Sequence, residues 1–308
     1  MTGAARFRTF LDWSVERFGR PLHRVALDAG SQCPNRDGTK GFGGCVYCDV
    51  EGSGTGAMRR GDELALQLER GLARIARRHN AGPAVAYFQS YSNTYVQPER
   101  LDLVLATVEP HLGRGVAAVS VATRPDTLPE GALDVLERWN RRVPVWVELG
   151  LECADDARLI EINRLHTVSD FVDAVARTQR RGLLTVGHAI LGLPGDGREG
   201  ARRTADTLAQ CGVDGVKVHQ LMVLRRSILS HWWREGRVEL LELDEYVDWL
   251  ADFVERLAPH QALHRLHADA RAEDLLAPSW TPHANQVRAR LERELARRGT
   301  RQGTLARG

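Results

Sequence analysis

Three cysteines carry the strongest chemical signal in the chain. Cys33, Cys45 and Cys48 fall within 16 residues, in the run Cys-Pro-Asn-Arg-Asp-Gly-Thr-Lys-Gly-Phe-Gly-Gly-Cys-Val-Tyr-Cys. The stretch also holds Gly38, Gly41, Gly43 and Gly44, and glycine lets a backbone wrap closely round an object. Soft thiolates select zinc, copper(I) or an iron–sulfur cluster. A structural zinc site takes four protein ligands, whereas this Cys-x-x-Cys pair has one further cysteine nearby. His23 or Asp28 would have to complete the set, at spacings unusual for zinc. A [4Fe–4S] cluster usually takes four thiolates; three leave one iron open to a small molecule. On spacing alone the cluster, zinc and a chance grouping of thiols all stay open.

Further reactive side chains sit in or just after short apolar runs. Tyr87 and Gln89 share one face of such a run, and Thr123-Arg124-Pro125-Asp126 ends another. Arg124 is a fixed cation whose planar fork suits a carboxylate; a surface salt bridge is the plain alternative. Glu148 and Glu152 share a face with Trp146, and two carboxylates on a buried strand are costly unless paired or functional. His188 is a candidate for the substrate cavity, or a satisfied interior histidine. Lys217 and His219 share a face of the sixth run. A compact ammonium there suits a substrate carboxylate or phosphate; pairing with Glu148 or Glu152 is equally consistent. His188, Lys217 and His219 are the catalytic candidates. Cys153 and Cys211 read as buried thiols.

The elements that must position these groups alternate. Strands are expected at Val25–Ala29, Ala84–Gln89, Val116–Ala122, Val143–Leu149, Leu184–Ile190 and Gly215–Leu221, each short and bounded by Gly, Pro or polar residues. Between them, amphipathic helices are expected at Asp62–Arg78, Glu99–His111, Glu130–Asn140, Asp155–Asn163, Ser169–Arg181 and Glu199–Cys211, with Asp244–Leu257 following. Six strand–helix units imply an α/β fold with a parallel sheet and right-handed crossovers. The number suits a partial, three-quarter (β/α)6 barrel. Two parts are expected: residues 1–239 as the barrel with its lead-in, and 240–308 as a C-terminal extension packed on it. Within the extension His264–Trp280 reads as short extended pieces, and Asn285–Arg298 as a basic helix. Functional groups of such barrels gather at the C-terminal strand ends.

The 308 residues and the net charge of +2 describe an ordinary globular chain. Collagen, general disorder and a disulfide scaffold are excluded. No run of 18 apolar residues exists, so no membrane partner is expected. The N-terminal segment lacks an apolar signal core, which implies a cytoplasmic protein with reduced cysteines. Among the 42 basic residues only Lys40 and Lys217 are lysines. From residue 284 onward seven Arg stand against two Glu, a solvated helix or a patch for a polyanion.

The ordered motifs ALDAGSQCPNRDGTKGFGGCVYC, AYFQSYSNTY, SVATRPD, VELGLE, GHAILGLPG, DGVKVH and LHRL resemble the radical SAM superfamily. The eleven-residue gap after Cys33 is similar to the YhcC/YtqA-type bacterial branch, related to the elongator catalytic subunit family. The resemblance covers about Phe10 to Arg298. It implies that Cys33, Cys45 and Cys48 hold a [4Fe–4S] cluster with Tyr47 as the aromatic before the last cysteine, and that the open iron chelates S-adenosylmethionine. It further implies reductive cleavage of that cofactor to a 5′-deoxyadenosyl radical, which abstracts hydrogen from the substrate. Contacts carried over are Gln89 or nearby backbone carbonyls for the amino group, and Thr123-Arg124 at the third strand end. Glu148 and Glu152 lie at the fourth, with Glu152 toward the ribose and Arg164 toward the carboxylate. Ile190 and Gly192 fall beside the adenine. Partners implied are an external one-electron reductant of flavodoxin or ferredoxin type and, through the elongator relation, tRNA carrying a wobble-uridine side chain. A small metabolite or a protein side chain are the other substrate classes. The rivals are a zinc-stabilised nucleic-acid-binding module without catalysis and a redox-inactive barrel.

Overall fold

A computed structural model describes residues 5–49, 57–79, 82–283 and 285–306. The parallel strands are β1 (His23–Asp28), β2 (Ala84–Gln89), β3 (Val116–Thr123), β4 (Val145–Glu152), β5 (Leu184–Leu191) and β6 (Gly215–Gln220). The crossover helices between them are α2 (Leu64–His79), α3 (Pro98–Ala106), α4 (Glu130–Asn140), α5 (Asp156–Glu161), α6 (Val168–Arg180) and α7 (Gly197–Gln210), after an N-terminal α1 (Phe10–Phe18). All six expected strands form, within three residues at either end. A short β7 (Val223–Leu224) and α8 (Leu229–Arg234) follow, then α9 (Leu243–Arg256), β8 (Ala262–Arg265), β9 (Leu275–Ala277) and α10 (Asn285–Arg298).

The sheet has seven strands in the order β1-β2-β3-β4-β5-β6-β8, every neighbour parallel. This is the expected partial barrel with one more strand. β8 lies in the stretch expected to hold only short extended pieces. With four residues, two of them His264 and Arg265, it offers almost no apolar alternation to read. α9 and β8 continue the alternation past residue 240, where the barrel was expected to give way to the extension. α10 then packs along α9 through Val287, Leu291 and Leu295, all fully buried.

The two-residue period of the strands sorts the barrel interior into layers. The lowest is apolar: Val85, Ala118, Trp146 and Val186 form one cluster with Phe10 and Leu22. α1 plugs this end. Its N-cap Thr9 makes a reciprocal capping box with Asp12, and Phe10 packs edge-on to Trp146 with ring centroids 6.2 Å apart. Two residues further along each strand come Tyr87, Ser120, Glu148 and His188, a polar layer. Two further again come Gln89, Ala122, Gly150 and Ile190, at the C-terminal mouth.

The outer strands are tied at the plugged end. Arg24 of β1 donates to the His264 carbonyl at 3.3 Å and meets His264 Nδ1 at 2.8 Å. Thr9 bridges to Leu263 of β8. No helix among the described residues is long and apolar enough to cross a membrane.

Candidate active site

The C-terminal strand ends enclose a cavity of about 230 Å³. Of the residues singled out in the sequence, Cys33, Cys45, Tyr47, Cys48, Gln89, Thr123, Arg124, Glu148, Glu152, Arg164, His188, Ile190, Lys217 and His219 all line it. Gly192 does not. It turns the chain just beyond Ile190 at φ 89°, where a Cβ would stand 3.2 Å from Leu241 Cγ.

One wall is sulfur-bearing. The loop after β1 folds on itself: the Arg36 amide donates to the Cys33 carbonyl at 2.9 Å, and the Cys48 amide to the Cys45 carbonyl at 3.0 Å. Gly43 and Gly44 take φ 79°, which any Cβ would strain. The segment after α5 braces this loop from outside. Asn163 Nδ2 donates to the Phe42 and Gly44 carbonyls at 3.0 and 2.8 Å, and the Val46 amide to Ile162 at 3.0 Å. Asn35, fully buried, contacts Cys45 Sγ at 3.8 Å and donates to the Arg164 carbonyl at 3.1 Å. Cys48 and the Arg164 and Arg124 guanidinia pull the Cys45 thiol well below its ordinary range, against the effect of burial.

The fourth strand bulges between Gly150 and Glu152, with Glu152 at φ 68°. Its carboxylate meets Arg164 at 3.3 Å, and Arg164 also donates to the Gly150 carbonyl at 3.2 Å. A side chain at Gly150 would stand 2.2 Å from the Glu152 carboxylate and 2.4 Å from Arg164. Only glycine leaves room for this pair. Burial raises the Glu152 carboxyl, with Arg164 opposing. Arg164 therefore engages Glu152 and faces Cys45 Sγ at 3.9 Å.

Arg124 is not a surface residue: it is 1% exposed. Its Nε and Nη2 grip Asp126 at 2.9 and 2.7 Å, while Nη1 is buried without a hydrogen-bond partner among the described residues. A half-satisfied buried guanidinium is costly, and it lines the cavity. The Thr123 hydroxyl is engaged with Thr94 at 2.5 Å and Thr127 at 3.1 Å, so that residue supports the turn.

The opposite wall is a polar network rooted in Glu148, which is 1% exposed. It accepts from Ser120 at 2.6 Å, meets His188 Nε2 at 2.8 Å and pairs with the Lys217 ammonium. Lys217 takes the structural partner foreseen for it. Burial would favour a neutral Glu148, but Lys217 and His188 hold the carboxyl well below its usual range. Burial pushes Lys217 down to about 7, and the Arg24 and Arg265 charges add to the effect while Glu148 opposes it. His188 is lowered to about 4, chiefly by burial, and is neutral at pH 7. Lys217 Nζ lies 3.9 Å from the Tyr87 ring centroid.

Several groups with chemistry stay outside. Cys153 is fully buried, its thiol pushed up to about 12 by burial; it is inert packing. Trp232 packs below the cluster loop and Trp233 is part-exposed, but neither lines the cavity. His23 stacks on His79 at 3.9 Å, and Asp28 accepts from the Gly30 and Met58 amides at 3.1 and 3.2 Å. Neither of these two completes a zinc set with the cysteines. On α10, Arg290 pairs with Asp244, Arg297 with Glu294, and Arg298 with Asp248, Asp252 and Glu255. Much of the expected basic patch is thereby neutralised, and Arg307 lies outside the described residues.

Sequence reasoning missed Asn35, Gly150, Arg265 and the Ser90–Tyr91 turn. The turn takes φ 83° and 56° at non-glycine residues, a strained form that clusters at ligand sites. Asn93 holds it by donating to the Phe88, Ser90 and Ala122 carbonyls at 3.2, 3.3 and 2.9 Å. The Asn in AYFQSYSNTY was the available signal.

The cavity fits an iron–sulfur cluster with a zwitterionic ligand beside it. Among the described residues no three His, Cys, Asp or Glu side chains converge on one metal-ion position, as zinc would need. A four-iron cluster takes each thiolate on a different iron, and all three cysteines line this cavity. The unpartnered Arg124 Nη1 offers a carboxylate donor on the adjoining wall.

The sequence profile of the Radical SAM superfamily matches residues 33–208, and that of the Radical SAM C-terminal domain matches 213–297. The protein YtqA of Bacillus subtilis is 35% identical over 302 residues, covering 97% of this chain and 92% of its own length. A tRNA uridine(34) acetyltransferase of Dehalococcoides mccartyi is 29% identical over 157 residues, 49% of this chain and 33% of that enzyme. The solved structure of archaeal Methanocaldococcus infernus Elp3, lacking its N-terminus, superposes with a TM-score of 0.70 at 15% identity. It covers 91% of this chain, and this chain spans 64% of it. With one profile covering more than half of the chain and YtqA matched over nearly its whole length, the chain belongs to the radical SAM superfamily, in its YtqA-type branch, and is an enzyme that uses a [4Fe–4S] cluster and S-adenosylmethionine.

Proposed function

We propose that Cys33, Cys45 and Cys48 hold the cluster and that the enzyme abstracts hydrogen from a modified wobble uridine of tRNA. The observation that carries the reading is the shared cavity: three thiolates, the half-satisfied Arg124 and the Glu148 network meet at the C-terminal strand ends. When bound and reduced by a flavodoxin- or ferredoxin-type donor, the cluster supplies the electron that cleaves S-adenosylmethionine to methionine and a 5′-deoxyadenosyl radical.

The chain's own residues bind and orient. Arg124 Nη1 takes the cofactor carboxylate, and the Gln89 side chain with the Ser90–Tyr91 turn takes its amino group. Glu152, held by Arg164, faces the ribose; Arg164 acts on the cofactor through that pair. Ile190 offers an apolar edge to adenine, and the turn at Gly192 shapes the backbone beside it. Tyr47 shields the sulfur wall. Facing it, His188, Lys217 and His219 line the substrate side. The closed, plugged barrel floor keeps water from the radical.

The uridine reading is supported by the name of the acetyltransferase relative, which shares 157 residues with this chain. The enclosed cavity suits a base drawn out of its stack. The α10 arginines lend it little, because Arg290, Arg297 and Arg298 are paired with carboxylates. The test is anaerobic turnover of reconstituted, reduced enzyme with S-adenosylmethionine. Unfractionated tRNA should raise 5′-deoxyadenosine formation about tenfold or more, with a mass change in one nucleoside. Turnover unmoved by tRNA, but raised by a small-molecule extract, would replace the uridine reading.

A further inference from the structure

The substrate side of the cavity holds polar groups with hydrogen-bonding capacity to spare, with Arg265 exposed at its edge. Lys217 and Arg265 are register partners on β6 and β8, and His219 stands two residues beyond Lys217 on the same face. Lys217 donates one hydrogen bond to Glu148; an ammonium has three N–H donors. Arg265 makes no hydrogen bond or ion pair among the described residues, and its side chain lines the cavity. Among the described residues His219 Nε2 is buried without a partner, and its ring lies 5.8 Å from that of His188.

The charges facing this corner add up to an excess of cation. Lys217, Arg265 and the half-buried Arg24 stand against Glu148, with Asp269 on the rim of the wall. His188 is already engaged with Glu148. With His219 in its Nε2–H tautomer, a ligand that satisfies an ammonium, a guanidinium and that imidazole N–H together must offer several lone pairs. That description fits an oxyanion.

We propose that Lys217, His219 and Arg265 form a subsite for a carboxylate or phosphate on the substrate, seated across the cavity from the cysteine wall. The subsite rests on the cavity being the active site and narrows the substrate to one bearing an anionic arm. Glu148 is its positioning residue: it fixes the Lys217 ammonium, and it holds His188, whose ring lies beside that of His219.

The experiment titrates the reconstituted enzyme, saturated with S-adenosylmethionine, with acetate and separately with inorganic phosphate. Binding is read by ligand line broadening in nuclear magnetic resonance. One or both probes should bind the wild type, and the preferred probe identifies the arm as carboxylate or phosphate. Arg265→Gln, on an exposed strand position, should weaken that probe about tenfold. Lys217→Met alone leaves Glu148 buried and unpaired, so the paired change Lys217→Met with Glu148→Gln keeps the test usable if the single variant fails to fold. It should weaken the probe by a similar factor. No binding of either probe to the wild type, or equal binding by wild type and both variants, overturns the subsite. Failure of cofactor cleavage with anion binding intact would count against the proposed function instead.

Discussion

At the scale of single residues, the site depends on side chains that are buried and only partly satisfied. Arg124 shows how such a group is held. Burial alone would raise the Asp126 carboxyl, but the Arg124 fork and Lys40 outweigh it and hold it at about 2, down from 3.8. A depressed carboxyl contributes stability that is present above its unfolded value and lost as pH falls through the folded one. Asp126→Asn should therefore cost about 2 kcal/mol near neutral pH. The gap to wild type in urea unfolding should shrink between pH about 4 and 2. A gap constant across that window would show that Asp126 is not held by Arg124 and Lys40. Among these residues the sequence was most informative for the cysteines, Glu148 and Lys217, because their types are rare on buried strands. It was silent on Gly150 and Asn35. Their roles depend on Arg164, more than ten residues away in sequence: its pair with Glu152 for one, its carbonyl for the other.

At the scale of elements, the barrel is an alternation of two faces, and the interior face changes character every second residue. The apolar bottom layer is closed by α1, a helix that the sequence reading did not place. Its pattern, FLDWSVERF, mixes aromatics into a short amphipathic stretch and lies before the first expected strand. Phe10 stacks on Trp13 at 6.0 Å and approaches His264 at 4.5 Å. Phe10→Ala should lower unfolding stability by about 3 kcal/mol or more, measured by urea denaturation of the metal-free chain. A loss under 1 kcal/mol would mean the plug is dispensable. β8 was equally hard to foresee. The signal of a strand is its alternation, and Ala-Leu-His-Arg becomes strand-like only once Leu263 packs outward and His264 meets Arg24. The six longer strands were legible because each carries enough Val, Ala, Leu and Ile to reveal its period.

At the scale of the whole molecule, the C-terminal part is latched to the barrel by charge. Arg298 of α10 reaches Asp248, Asp252 and Glu255 of α9, and Asp252 also binds Arg198 and Arg202 of α7. The composition of α10 was readable as basic, but its use was not, since the acidic partners lie on other helices. Arg298→Ala leaves Glu255, 4% exposed, without its ion-pair partner among the described residues, while Asp252 keeps Arg198 and Arg202. It should cost about 3 kcal/mol, read as a lower urea midpoint. A midpoint unchanged within error would free α10 for another role. At the other end of the molecule lie the three cysteines proposed to hold the cluster. The decisive measurement is 5′-deoxyadenosine formed by anaerobically reconstituted, dithionite-reduced enzyme with S-adenosylmethionine, beside iron content. The wild type should carry about four irons per chain and form the product, while the Cys33→Ala, Cys45→Ala, Cys48→Ala variant should do neither. A wild type that binds one zinc and forms no product, or a triple variant that keeps its iron and its activity, would contradict the account.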